Sequence, residues 1–355
     1  MRKNPRILYL PGKYPFCYYY RGYLPGVYSN QSVVSDFVKL GTDIPSEKII
    51  EQARRADVIV LQRPNTKESL ELVKSLKKEG KKVIFENDDT YLAGKGIVLE
   101  RLENDEQRKI AKDMSYYTNE ILKLSDGAIA STEILAKEYA EINPNVAVLK
   151  NCIDPFDEFL KKPNTTGKFR VGLIGSVTTN DDYLHIKDQI QRLDERGDIT
   201  FVVFGVKYKD GSHLSFMKDD YWFWNSLRNV EWQPYVPITE YMMTLANLSL
   251  DLAIIPRQDS YFNRCKSNLK FLECALLHIP VLAQSFSDGT SPYQGKDEKY
   301  MTLTDMSWYK EILEIKDNYK KYEKLAEKAY KYVLKNYNIH TYAPQWTKTI
   351  SKLIK

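Results

Sequence analysis

Histidine is scarce. The chain has four, His185, His213, His278 and His340, and none precedes residue 185, so the first half has no imidazole to act as a base. Cysteine is equally sparse. Cys17, Cys152, Cys265 and Cys274 are scattered with no CxxC pair, which argues against a disulfide framework and against a zinc site. No apolar run is long enough to span a bilayer, and the basic start "MRKNPRILYLPGKYP" lacks the apolar core and cleavage site of a secretory signal. A cytoplasmic protein with reduced thiols and no bound metal is expected. Neither a GxxxxGK[ST] loop nor a full GxGxxG occurs. Charge of one sign is limited too: a net +5 over 355 residues is weak for a protein built to grip a nucleic acid backbone. The 26 tyrosines are not interleaved with a basic stripe, so no nucleic acid partner is expected. Short anionic ligands and a membrane surface remain as partners.

With 43% apolar and 28% charged residues, the length suits a globular chain of two domains. "RILYL", "DVIVLQ", "KVIFEN", "GAIAS" and "VAVLKN" read as short buried strands. Between several of them lie "PSEKIIEQARRA", "TKESLELVKSLKKEG" and "TEILAKEYAEIN", with apolar residues at helical spacing. Such alternation predicts a parallel sheet with crossover helices. A polar stretch, "KKPNTTGK" at 161–168, reads as a flexible linker, after which "FRVGLIGS", "TFVVFG", "LDLAIIP" and "PVLAQ" restart the pattern. The predicted organisation is an α/β chain with one domain over 1–162, a second over 163–336, and a last helix over 337–355 that crosses back to the first. The lysine-rich run near the end, "KKYEKLAEKAYKYVLKNYN", reads as a solvated face.

Ligands of open parallel sheets bind beyond the carboxyl ends of the strands. "NRCKSNLKFLE" at 263–273 follows such a strand, and Ser267 reads as the N-cap of a helix. Arg264, Lys266 and Lys270 crowd the positive end of that helix dipole, where each cation costs about 0.3–1 kcal/mol unless an anion sits there. A diphosphate-sized anion is expected. Leu269, Leu272, Leu276 and Ile279 mark a buried stripe, while Lys270 and Glu273 share the next face. They form either a surface salt bridge or a ligand pair, Lys270 on phosphate and Glu273 on two sugar hydroxyls. Gly175 and Ser176 either let backbone amides approach a phosphate or only form a tight turn.

These residues resemble a known family. "FLECALLHIPVLAQ", with its glutamate-bearing helix followed by a "G-x-P-V"-like strand, is similar to the donor domain of GT-B glycosyltransferases. "RRADVIVLQRPNTKESLELVKSLKKEGKKVIFENDDTY" and "LSDGAIASTEILAKEY" resemble the acceptor domain of bacterial and phage members of family 1/4 type. The resemblance implies two Rossmann-like domains with parallel sheets facing each other across a cleft. It implies a nucleotide-sugar donor, UDP- or GDP-linked, bound without a metal or other cofactor. Glu273 would hold the donor ribose, Ser267 and Lys270 the diphosphate, Gly175 and Ser176 the loop beneath, and Tyr235 in "NVEWQPYV" the nucleobase or mere packing. The acceptor would be a glycan, a lipid-linked sugar or a protein, with contact at the inner face of the membrane.

The chain departs from the family at three places. Cys265 stands where many retaining members carry a second glutamate, "GSVTTNDD" lacks their Arg and Lys, and His278 replaces a common Gly. Arg264, Lys266 and Lys270 would then supply the missing charge. Without an early histidine, Asp88 or Asp89, after "KVIFEN", is the candidate base; otherwise they cap and hold a loop. Arg21, within "YYYRGY", either contacts phosphate or acceptor or packs among tyrosines. Two other readings use the same elements: a nucleotide-sugar epimerase, and a non-catalytic glycosyltransferase-like partner subunit.

Overall fold

In the computed structural model, residues 5–12, 15–29, 32–34, 47–90, 105–175, 180–205 and 221–355 are described. The chain forms two compact units, one of Met1–Cys152, Arg264–Ser267 and Ile339–Lys355, the other of Ile153–Asn263 and Asn268–Asn338.

The first unit is built on β1 (Ile7–Leu10), β2 (Ser32–Val34), β3 (Val58–Gln62), β4 (Lys82–Asn87), β5 (Gly127–Ala130) and β6 (Val146–Val148). They pair in the order β2-β1-β3-β4-β5-β6, all parallel. Side chains of β1, β3, β4 and β5 are wholly buried apart from the first residue of β4, as expected of strands covered on both faces. Helix Lys67–Lys78 buries Leu70, Val73 and Leu76 and is capped by Thr66, whose hydroxyl accepts from the Ser69 amide. Thr132 caps helix Glu133–Ala140 in the same way, accepting from the Leu135 amide. Strand β2, too short to stand out in the sequence, and helix Asp105–Leu124, which buries Ala111, Ser115, Thr118, Ile121 and Leu122, add to the elements expected.

The second sheet comprises β7 (Phe169–Ile174), β8 (Ile199–Phe204), β9 (Val230–Gln233), β10 (Leu252–Ile255), β11 (Val281–Gln284) and β12 (Thr302–Thr304). Its order, β12-β11-β10-β7-β8-β9, is that of a doubly wound nucleotide-binding sheet, with the switch point between β7 and β10. Short β9 and β12 join the four strands legible in the sequence.

The units part at Cys152, before the expected boundary. Residues 161–168 are not a free linker, because hydrogen bonds fix them to the second unit: Lys161 Nζ donates to Leu250 O at 3.2 Å, the Lys162 amide to Ala246 O at 3.0 Å, and Asn164 Nδ2 to Asp251 at 2.6 Å. The last helix, Ile339–Leu353, folds with the first unit. It sends Trp346, Ile350 and Leu353 into the core of Tyr9, Val58, Val60, Ile84 and Ile129.

Arg21 belongs to that core and not to a binding surface. It lies on a wide π-helical turn, Tyr19–Tyr23, and is 0% exposed. Its Nε donates to Glu86 at 2.6 Å, and one terminal nitrogen donates to Leu149 O at 2.5 Å and to Asn151 at 3.1 Å. The guanidinium rests 4.8 Å from the centroid of the Trp346 ring. The expected contact of Arg21 with phosphate or acceptor is therefore corrected: full burial leaves it no access to either.

Replacing Arg21 with Met strands the Glu86 carboxylate. Loss of one partner of a buried pair costs about 3–5 kcal/mol. Burial already pushes Glu86 up to about 7 against the pull of Arg21. A carboxyl with a raised folded-state value contributes most below its unfolded value and loses that contribution as pH rises through the folded value. The stability gap between wild type and Arg21→Met, measured by urea unfolding, should therefore be wider at pH 8 than at pH 5.

Candidate functional site

In the second unit the strands end together at one edge. The Gly175 amide, just after β7, donates to Phe204 O, the last residue of β8, at 3.1 Å. Gly205 carries the strain of this approach, with φ at 90° and room for no Cβ, which would lie 2.4 Å from Gly175 O. The tight turn is thus at Gly205, with Gly175 as its neighbour. Ser176 lies outside the described residues. At the switch point, Asp182 is buried and accepts from Arg257 at 2.7 Å, from the Gln258 amide at 2.9 Å and from Asn263 Nδ2 at 2.8 Å. One carboxylate thus ties the loop after β10 to the helix after β7.

That loop leads into helix Leu269–Leu276. Ser267 is not its cap, a correction: Asn268 precedes the helix with φ −79° and ψ 16°, and its side chain does not cap either. Both are engaged elsewhere. Ser267 Oγ accepts from Asn151 at 2.7 Å, and Asn268 Nδ2 donates to Asp297 at 2.6 Å. The positive end of the helix therefore lacks a side-chain cap from its flanking residues. Nor is there one apolar stripe: Phe271 through Leu276 are all buried.

Glu273 is among them, 4% exposed, which rules out a solvent-exposed salt bridge with Lys270. Tyr241 donates to its carboxylate at 2.9 Å and stacks on Phe204 at 5.3 Å. Burial, and then Glu273, pushes the Tyr241 phenol well above its ordinary value, so it stays a donor. Tyr235 is half-buried after β9. Tyr241 and Asp182 escaped sequence reasoning because an apolar helix position and a polar loop position give no sign of the buried carboxylate or guanidinium they meet.

Arg264, Lys266 and Ser267 fold with the first unit, Lys270 and Glu273 with the second. Lys266 is already committed: its ammonium donates to both oxygens of Asp89, at 2.7 and 2.9 Å. Arg63 donates to the same carboxylate and also pairs with Asp88 at 3.4 Å. Burial alone would raise Asp89, but Lys266 and Arg63 outweigh it and hold the group below the usual carboxylate range. A carboxylate so held takes a proton poorly, so Asp89 is corrected from candidate base to anchor. The neighbouring loop is fixed as well: Thr90 donates to Glu138 at 2.8 Å, and Tyr139 to Asp89 O at 2.7 Å. Asp88 is less enclosed, and its buried Oδ1 accepts no hydrogen bond. At the departures from the family pattern, Cys265 is buried and His278 takes φ 54°, a left-handed turn that glycine adopts freely.

No protein-family model matches the sequence, and no curated protein does. Solved structures do. Anabaena Alr3699/HepE in complex with UDP-glucose has a TM-score of 0.63 at 13% identity, covering 98% of this chain and 100% of that one. A glycosyltransferase from Rickettsia africae has a TM-score of 0.66 at 11% identity over 99% of each chain. The lipopolysaccharide outer core galactosyltransferase WaaB, in its apo form, has a TM-score of 0.53 at 9% identity, covering 98% of this chain and 99% of that one. These likenesses in fold, over nearly the whole of each chain, give this chain, with its two units each built on a parallel sheet, the GT-B fold.

Proposed function

We propose that the protein is a glycosyltransferase that moves a sugar from a nucleoside-diphosphate sugar, UDP- or GDP-linked, to a hydroxyl of a glycan, lipid-linked or protein acceptor. The observation that carries this is Glu273, a buried carboxylate held by Tyr241 on a helix whose start has no side-chain cap, at the carboxyl edge of a nucleotide-binding sheet. A fixed carboxylate accepts hydrogen bonds from the two adjacent hydroxyls of a ribose, and a helix start with Lys270 beside it suits a diphosphate.

In the transfer, the acceptor oxygen forms a bond to the anomeric carbon, and the bond from that carbon to the β-phosphate oxygen breaks. The nucleoside diphosphate leaves with the electron pair. Asp88 is the group proposed to take the acceptor proton, since Asp89 is held ionised by two cations. Fixed positive charge at the helix start stabilises the leaving diphosphate in place of a metal. The reaction is therefore proposed to be metal-independent.

Glu273→Gln keeps an acceptor for Tyr241 but removes the charge from the ribose contact. Calorimetry should show UDP or GDP bound more weakly by about 1.5–3 kcal/mol, with inorganic pyrophosphate unaffected. Unchanged nucleotide affinity would defeat the assignment. Asp88→Asn should keep donor affinity and lose about 100-fold or more in transfer rate, since general base catalysis contributes about 10²–10⁴-fold.

Asp89→Asn should instead lower stability. Its depressed folded-state value makes the carboxylate stabilising above its ordinary value of 3.8, and that contribution disappears as pH falls through the lower, folded value. The melting temperature of the wild type should drop in strong acid, and that of Asp89→Asn should drop less. Turnover in excess EDTA should equal turnover without it; loss that magnesium or manganese restores would overturn metal independence.

A further inference from the structure

Helix Tyr319–Asn336 buries Tyr322, Ala326, Ala329 and Val333 against the second unit. Its exposed residues include Lys320, Lys321, Lys324, Lys328, Lys331 and Lys335. At 3.6 residues per turn these six lysines fall in one sector about 100° wide, opposite the buried stripe, along about 22 Å of helix. Exposed Glu323 and Glu327 lie beyond one edge of that sector. Lys321 pairs with Glu314 at 3.5 Å. Among the described residues the other five lysines have no ion pair, an arrangement of like charges that destabilises a helix unless something negative lies over it.

A second feature runs beside this helix. The stretch from Pro155 to Lys161 is tied to its flank, where Tyr330 donates to Glu158 at 2.8 Å and Lys161 Nζ approaches the Tyr319 hydroxyl at 3.4 Å. This stretch exposes large apolar side chains, Phe156 at 77% and Leu160 at 96%. A soluble polyanion would gain nothing from them. A bilayer surface uses both features, anionic headgroups for the lysines and the interfacial zone for the Phe and Leu. No helix of the described residues is long and apolar enough to cross a membrane, so the contact would be peripheral.

We infer that the lysine face of helix Tyr319–Asn336, with Phe156 and Leu160 beside it, docks the second unit on an anionic lipid surface. The proposal stands apart from sugar transfer, because its test reads lipid binding and not turnover. The full chain is sedimented with vesicles of mixed phosphatidylglycerol and phosphatidylcholine, and with phosphatidylcholine alone. Wild type should bind the mixed vesicles, more weakly as salt rises, and ignore the neutral ones. Lys324→Glu/Lys328→Glu/Lys331→Glu should lose at least about 10-fold in partitioning, the scale on which anionic surfaces attract clustered lysines. Phe156→Ser/Leu160→Ser should also bind mixed vesicles more weakly while being retained on heparin like wild type. All altered side chains are exposed, so unchanged melting temperatures will show that folding is intact. Absence of wild-type binding to the mixed vesicles would overturn the inference. So would full binding by either variant; lysine dependence without apolar dependence would indicate a soluble polyanion or an acidic protein as the occupant.

Discussion

The first unit depends on one buried guanidinium. Arg21 joins the end of β4 through Glu86, the chain after β6 through Leu149 O and Asn151, and the last helix through the Trp346 ring. A charge taken out of water needs a countercharge and hydrogen-bond acceptors to meet it, so the elements that supply them must close together. Asn151 carries the constraint onward, since its amide also donates to Ser267. A segment distant in sequence, Arg264–Ser267, is in this way held to the same unit as the chain terminus.

The second unit uses buried carboxylates to the same end. Asp182 gathers Arg257, Gln258 and Asn263 at the switch point of the sheet. Asp297 accepts from Asn268, Tyr332 and Tyr337, fixing the start of the Glu273 helix to the lysine-bearing helix and the residue after it. Glu273 itself is oriented by Tyr241, which is in turn stacked on the last residue of β8. Glu273, the side chain proposed to meet the ribose, thus rests on Tyr241, which preorganises it before any ligand arrives.

Charge inventory alone misjudges such a site. Three cations near a helix start suggest one anion, yet the ammonium of Lys266 is neutralised by Asp89. Two adjacent aspartates suggest two equivalent bases, yet Arg63 and Lys266 together hold one of them ionised. What a titratable side chain can do follows from the partners it has already taken.

The sequence by itself determined the two sheets and the helix that bears Glu273. Buried parallel strands such as "VIVLQ" and "FRVGLI" are continuous apolar runs, and helices such as Lys67–Lys78 are amphipathic, so both show in local periodicity. Short β2, β9 and β12 did not show, because three or four residues carry too little pattern, and the place where the chain changes units was hidden because polar residues 161–168 look free until their partners are known. Tertiary structure alone decided that Arg21 is a core residue, that Asp89 and Lys266 neutralise each other, that Ser267 bonds Asn151 and not its own helix, and that Glu273 is buried against Tyr241. The reason is physical. Periodicity is local, whereas the role of a charge depends on partners that, for Asp89 and Lys266, lie 177 residues apart.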